Sequence, residues 1–252
     1  MWATTEIPAF DLEAMAALAA ADVPAVRLAR FASIAEAHLL RDLLLTRAVR
    51  THSIEEVTRF GISQYEQGIR GSKAAYFRQV QDLTPAFDAI YARSFPAVDR
   101  FIAVLRAIGM DADVMIEPGY GPYWAGNGKV RNGVTPIHID FAPQDSAGWA
   151  IAETRVQFAW NVYLDNPGGG GDLQVWERRW SRQHDLVHQV EGQYYYRPDV
   201  VDGARRVDVP VTVGDVVIVN SAIYHAVRQA TGRIGFGSFI SLFDDNRFRL
   251  WS

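Results

Sequence analysis

The sequence contains no cysteine. That excludes disulfides, zinc–thiolate centres and iron–sulfur clusters, and it is compatible with a reducing compartment. No uninterrupted apolar run is long enough to span a bilayer. The opening Met1-Trp2-Ala3-Thr4-Thr5-Glu6 has neither a basic n-region nor an apolar h-region. Together these absences give the expectation of a cytoplasmic protein with no membrane association. The net charge is only −4, and no basic stripe or charge block interrupts the chain. A nucleic-acid partner and a charged interaction tail are therefore not expected. Internal repeats and linkers are also missing, so residues 1–252 are read as one domain.

What is present is a large apolar fraction, 49% of 252 residues, enough for a sizeable core. Its periodicity changes along the chain. Up to residue 110 the pattern is mainly helical. Asp11 is placed to cap a helix over 12–21, and Ser33, with Glu36 three positions on, to cap one from Ile34 to Leu45. Between them, Ala25–Phe31 alternates like a strand. Residues 46–72 are mixed. Ser72 and Thr84-Pro85 read as two further helix starts, the last helix running with interruptions to Ile108. His38 and His52 have no partner nearby and are read as structural or surface residues.

After Gly109 the period shortens to two. Candidate strands are Asp113–Glu117, Thr135–Phe141, Arg155–Leu164, Asp172–Trp176, Gln193–Arg197, Arg206–Val211, Asp215–Val219, Tyr224–Val227 and Arg233–Phe243. Glycine-rich clusters at 118–119, 126–128, 166–171, 202–203, 214 and 232 read as the turns between them. The run Gly168–Gly171 lacks the Lys-Ser/Thr and the helix start of a phosphate loop, so it too reads as a hairpin turn. Helices followed by many short strands predict an α+β fold: a double-stranded β-helix, or jelly roll, over 111–252 with helices packed outside it, mainly from the first half.

One strand concentrates the chemistry. In Thr135–Phe141, His138 and Asp140 are two positions apart, which puts both side chains on one face of an extended strand and turns Ile137 and Ile139 the other way. An imidazole beside a carboxylate is most of a 2-His-1-carboxylate facial site for Fe(II), which leaves the remaining positions open. His225, on a later strand, supplies the third ligand. The other spaced pair, His184 and His188, lacks the glutamate of a zinc hydrolase motif and reads as part of a solvated helix or loop.

The ordered set His138-x-Asp140, Gly170-Gly171-Asp172-Leu173, Gly214-Asp215, His225 and Gly232-Arg233 resembles the Fe(II)/2-oxoglutarate-dependent oxygenases over residues 111–245. Phe158–Asp165 followed by Gly-Gly-Asp-Leu is similar to the prolyl-hydroxylase block. Tyr194–Val201 before Val213-Gly214-Asp215 is similar to the freestanding small-molecule hydroxylases and halogenases of the N-substituted amino acid and welwitindolinone type. The resemblance implies Fe(II), 2-oxoglutarate and O2 as cofactor and co-substrates, and a carboxylate anchor at Arg233. Parity agrees: if His225 points inward, Arg228 points out, whereas Arg233 opens the next strand beside Gly235 and Gly237, which leave room for a ligand. Otherwise Arg233 is a surface hairpin residue.

Tyr163 falls where the resemblance implies a hydrogen bond to 2-oxoglutarate, with a core aromatic as the alternative. Parity then places Asn161, Ala159 and Gln157 inward and Trp160 and Phe158 towards the helices. Tyr120, Tyr123 and Trp124 lie in a glycine-rich stretch where they either cover the substrate or are ordinary loop aromatics. The halogenating relatives lack the metal-bound carboxylate that Asp140 supplies here, so the expected reaction is hydroxylation of an unactivated C–H of a small molecule, an amino acid derivative or natural-product intermediate. Desaturation, cyclisation or epimerisation would use the same triad. A metal-binding cupin without oxygenase activity is the competing class, and it has no need of Arg233.

Overall fold

In the computed structural model, which describes residues 2–47, 50–52, 58–66, 72–244 and 246–252, the helical half supplies α1 (Leu12–Ala20), α2 (Ile34–Arg47), α3 (Lys73–Tyr91) and α4 (Ala97–Ala107). Asp11 caps α1 by accepting from the Ala14 amide at 2.7 Å. At α2 the capping box is complete: Ser33 Oγ accepts from the Glu36 amide at 3.2 Å, and Glu36 Oε2 accepts from the Ser33 amide at 2.9 Å. Ser72 caps α3. Thr84-Pro85 does not start a new helix, since Pro85 lies inside α3. Thr84 Oγ1 donates to the Val80 carbonyl at 2.7 Å on the same turn, and the helix breaks only after Tyr91. Of the stretch read as mixed, residues 48–49, 53–57 and 67–71 lie outside the described residues, as does the side chain of His52. His38 is half-buried on α2.

The first half also contributes strands β1 (Val26–Leu28), β2 (Arg50–His52) and β3 (Thr58–Phe60). They join β4 (Asp111–Val114), β7 (Asn127–His138), β8 (Val156–Asp165), β9 (Leu173–Arg179), β10 (Arg206–Val209), β11 (Val216–Asn220), β12 (Ile223–Leu242) and β13 (Arg247–Trp251) in one 11-stranded sheet. The short β5 (Ile116–Glu117) and β6 (Gly121–Pro122) form a separate hairpin. Along one path the order is β1-β11-β8-β12-β7-β3-β2, and β10-β9 and β4-β13 attach to it through β12.

β12 closes the jelly roll. Its first third pairs with β9 and the end of β7; the remainder pairs with β8, the start of β7, and β13. Register shifts between His225 and Arg233 bend it from one sheet into the other. Two predicted strands, Tyr224–Val227 and Arg233–Phe243, are thus one, and Gly232 is not a turn between strands. Of the predicted turn Gly126–Gly128, Asn127 and Gly128 instead open β7. Gln193–Arg197 forms only isolated bridges, His138 with Tyr195 and Gln189 with Tyr196.

Parity along β8 decides which side faces the helices. Trp160 stacks on Phe101 of α4, with ring centroids 4.2 Å apart and planes at 18°. Phe158, Trp160, Val162 and Leu164 all join the core shared with the helices. The alternate residues Ala159, Asn161 and Tyr163 face the interior of the roll. Strand spacing is tight where β12 passes β8: a Cβ on Gly237 would fall 1.8 Å from the Trp160 carbonyl oxygen. Gly237 serves close backbone approach, not room for a ligand.

Candidate metal and keto-acid site

His138 ends β7, and His225 lies directly opposite it on β12. Their ring centroids are 4.2 Å apart. Each Nδ1 is 2.8 Å from a backbone carbonyl, that of Pro136 for His138 and that of Ile223 for His225. A carbonyl only accepts, so each Nδ1 carries a proton and each Nε2 is the ring atom left to meet a metal. Both Nε2 atoms face Asp140: Oδ2 lies 3.4 Å from His225 Nε2 and 3.8 Å from His138 Nε2. Asp140 sits two residues past the end of β7. Ser221 holds it there, its carbonyl accepting from the Asp140 amide at 2.9 Å and its hydroxyl donating to the Asp140 carbonyl at 2.8 Å. Ile139 points away, into a cluster with Trp176, Tyr196 and Tyr224.

The electrostatics suit a divalent cation. Burial, with His225 alongside, pushes the His138 imidazole down to about 3, so it is neutral and its lone pair is available. Burial opposes ionisation of Asp140, but contact with the two histidines outweighs it and holds the carboxyl below the usual carboxylate range. Two imidazoles and one carboxylate, their ligand atoms within 4.8 Å of one another, fit a hexacoordinate metal bound on one face.

The triad lines an inner cavity with Tyr163, Leu173, Asn161, Gly235 and Arg233. Arg233 is 7% exposed. Its Nη1 donates to the Gly171 carbonyl, its guanidinium lies 5.5 Å over the Tyr163 ring, and its Nε is buried with no partner among the described residues. A buried guanidinium N–H without an acceptor is costly, and a carboxylate would satisfy it. Arg228 is instead 56% exposed and lies 3.5 Å from Asp208. Gly171 reads from the sequence as a turn residue and as part of the Gly-Gly-Asp-Leu motif; in the structure, at φ +70, its Cβ would lie 2.9 Å from Arg233 Cδ. Nothing in a four-glycine run distinguishes the one whose carbonyl holds the arginine.

Three aromatics lie elsewhere. Tyr123 and Trp124 are 2% and 6% exposed and pack in the helix-side core, Tyr123 against Tyr76 and Phe77, and Trp124 edge-on to Phe87. Tyr120 is exposed and stacks on Phe77. None of them lines the cavity; the helices of the first half claim all three. An outer chamber of about 570 Å³ opens from the triad and is lined by Tyr194, Tyr195, Phe239, Trp251 and Gln64 among others. Tyr194 stands edge-on to the His138 ring at 5.6 Å. His184 and His188 lie on α6 (Arg182–His188), the fifth helix being Ala142–Asp145. His184 faces the Tyr224 hydroxyl and His188 faces Asp199. Among the described residues, the triad is the group of His and acidic side chains placed so that it could hold a metal ion.

Comparison with known proteins agrees with this geometry. A protein at 30% identity, "Leucinostatins biosynthesis cluster protein S" of Purpureocillium lilacinum, matches 71% of this chain and 77% of its own length. The "L-isoleucine 3(1)-dioxygenase" of Pantoea ananatis is 27% identical, over 45% of this chain and 39% of that enzyme. In fold, the chain superposes on a crystal structure of an N-substituted L-amino acid dioxygenase from Burkholderia ambifaria with a TM-score of 0.65, at 16% identity, over 95% of this chain and 91% of that one. The family model described as carrier-protein-independent halogenase WelO5 matches residues 46–252, and the chain belongs to that family.

Proposed function

We propose that the chain is a non-haem Fe(II)- and 2-oxoglutarate-dependent dioxygenase that hydroxylates an unactivated C–H of a small molecule, an amino acid derivative or natural-product intermediate. One observation carries the reading. The His138–Asp140–His225 face and the unsatisfied Nε of Arg233 address the same cavity. A metal-binding cupin would need the first feature and not the second.

Under this reading His138, Asp140 and His225 hold the iron, and Arg233 takes the far carboxylate of 2-oxoglutarate. Bound together, iron and 2-oxoglutarate supply O2 activation for C–H oxidation, with release of succinate and CO2. The chain's own residues set positions. The Pro136 and Ile223 carbonyls fix the imidazole tautomers, Ser221 fixes Asp140, and Gly171 fixes Arg233. Leu173, Val217, Val219 and Val227 on the inner wall exclude water around the keto acid. Tyr163 and Asn161 complete that wall, Tyr163 beneath the guanidinium. Relatives named as amino acid dioxygenases support the substrate class. Asp140 supports oxygen transfer over halogenation, because it fills the position a halide would need.

The test is an anaerobic titration. The protein with Fe(II) should develop a weak visible charge-transfer band when 2-oxoglutarate is added, and His225→Ala, still folded by circular dichroism, should not. No band in the native chain would end the oxygenase reading.

A further inference from the structure

Lys129 has no part in the scheme above. It lies on β7 opposite Gly235, two positions before Arg131, which pairs with Arg233 across the ladder. Lys129, Arg131 and Arg59 of β3 line both the inner cavity and the outer chamber, as do His138 and Asp140. Arg233, Tyr163 and Leu173 line only the inner cavity. The three cations therefore stand at the junction, beside the triad.

Two of the three have counter-groups. Arg59 Nη2 is 3.1 Å from Glu66 Oε1, and Arg131 Nη1 donates to Thr135 Oγ1 at 2.7 Å. No described acceptor takes a hydrogen bond from the Lys129 ammonium; its electrostatic neighbours are Arg59 and Arg131, which oppose its charge, and Asp140 and Glu66, which favour it. Burial dominates and pushes Lys129 down to about 7. Of the two favourable neighbours, Glu66 is engaged by Arg59 and Asp140 belongs to the metal face. A half-buried cation lining the cavity in this position lacks an anion among the described residues.

We propose that Lys129 anchors a carboxylate of the primary substrate, so that the enzyme takes an acidic small molecule with its acid at the junction and its hydrocarbon beside the triad in the outer chamber. This rests on the oxygenase reading. Arg233 already meets the keto acid's distal carboxylate at the inner end. A second carboxylate entering through the outer chamber meets Lys129 on the wall of that chamber. The nearby Asp140 and Glu66 disfavour a more highly charged phosphate. Tyr194, Tyr195, Phe239 and Trp251 offer apolar surface to the rest of such a molecule.

N-acetyl-L-isoleucine and N-acetyl-L-isoleucinamide are matched probes, differing only in the acid. Each is titrated anaerobically into the Fe(II)–2-oxoglutarate protein by calorimetry and by perturbation of the charge-transfer band. A charge-assisted hydrogen bond predicts that the acid binds roughly tenfold to hundredfold tighter than the amide. Lys129→Met should erase that preference and leave 2-oxoglutarate affinity unchanged, and Lys129→Arg should restore part of it. Equal binding of acid and amide by the native chain, or no saturable binding of the acid, overturns the proposal. So does a Lys129→Met variant that keeps the preference or loses 2-oxoglutarate affinity instead. Absence of the band before any probe is added would be failure of the oxygenase reading, a separate result.

Discussion

Single residues set the two ends of the inner cavity, and their substitutions should separate cleanly. Arg233→Ala removes a buried charge-assisted pair and should weaken 2-oxoglutarate binding by about 2–5 kcal/mol. Arg228→Ala, at an exposed pair, should change it little. Gly171→Ala should fall between them, since the added methyl both strains a left-handed backbone and presses on Arg233 Cδ. The measurement is the dissociation constant of 2-oxoglutarate with Fe(II) bound; a larger effect at Arg228 would reverse the assignment. His138 beside Asp140 was legible in the sequence because strand parity is a local property, whereas His225 and Arg233 are remote and were legible through the ordered set that resembles the oxygenases. Lys129 was not: reading Gly126–Gly128 as a turn hid the inward alternation Asn127, Lys129, Arg131. Tyr123 and Trp124 were misplaced because their burial depends on α3, whose position no local pattern encodes.

Elements obey their capping signals more faithfully than their breakers. Asp11, Ser33 and Ser72 each start the helix they announce, whereas Pro85 and Gly232 interrupt nothing, because tertiary pairing on both sides outweighs one lost hydrogen bond or one flexible residue. The α2 cap also carries a testable electrostatic link. Arg100 of α4 donates to Glu36 Oε1 at 2.7 Å, and that bond, with the Ser33 amide, brings the Glu36 carboxyl from 4.5 down to about 2. A carboxyl depressed by folding stabilises the fold above its unfolded value, and the gain is lost as pH falls through the folded one. Glu36→Gln should therefore melt at a lower temperature than the native chain near neutral pH. The gap should close between pH 4.5 and about 2. Glu36 is 38% exposed, so solvent screening limits its contribution to about 1 kcal/mol or less. Melting curves across that pH range decide it, and a gap that stays constant would count against the link.

For the whole molecule, the family description names a halogenase, while the metal face holds a carboxylate. The two lead to different products. The native chain should release hydroxylated and no chlorinated product, with or without chloride. Asp140→Gly should lose most hydroxylation and yield at most a trace of halogenated product, because steering to halide depends on the pocket beyond the metal as well as on an open position. Product mass on one shared substrate decides; undiminished hydroxylation in Asp140→Gly would mean that Asp140 is not a ligand. The jelly roll itself was legible from the change of period at Gly109, though not the long β12, since bulges disguise a continuous strand as two. That continuity also bears on how the chain is made. β7, β8, β9 and β13 all pair with residues 223–242, so during synthesis β7, β8 and β9 emerge with open edges and wait for a partner encoded after them. Closure of the roll, and with it the placing of His225, has to await synthesis of residues 223–242, and a ribosome stalled before residue 223 leaves a chain with hydrogen-bonding edges bare.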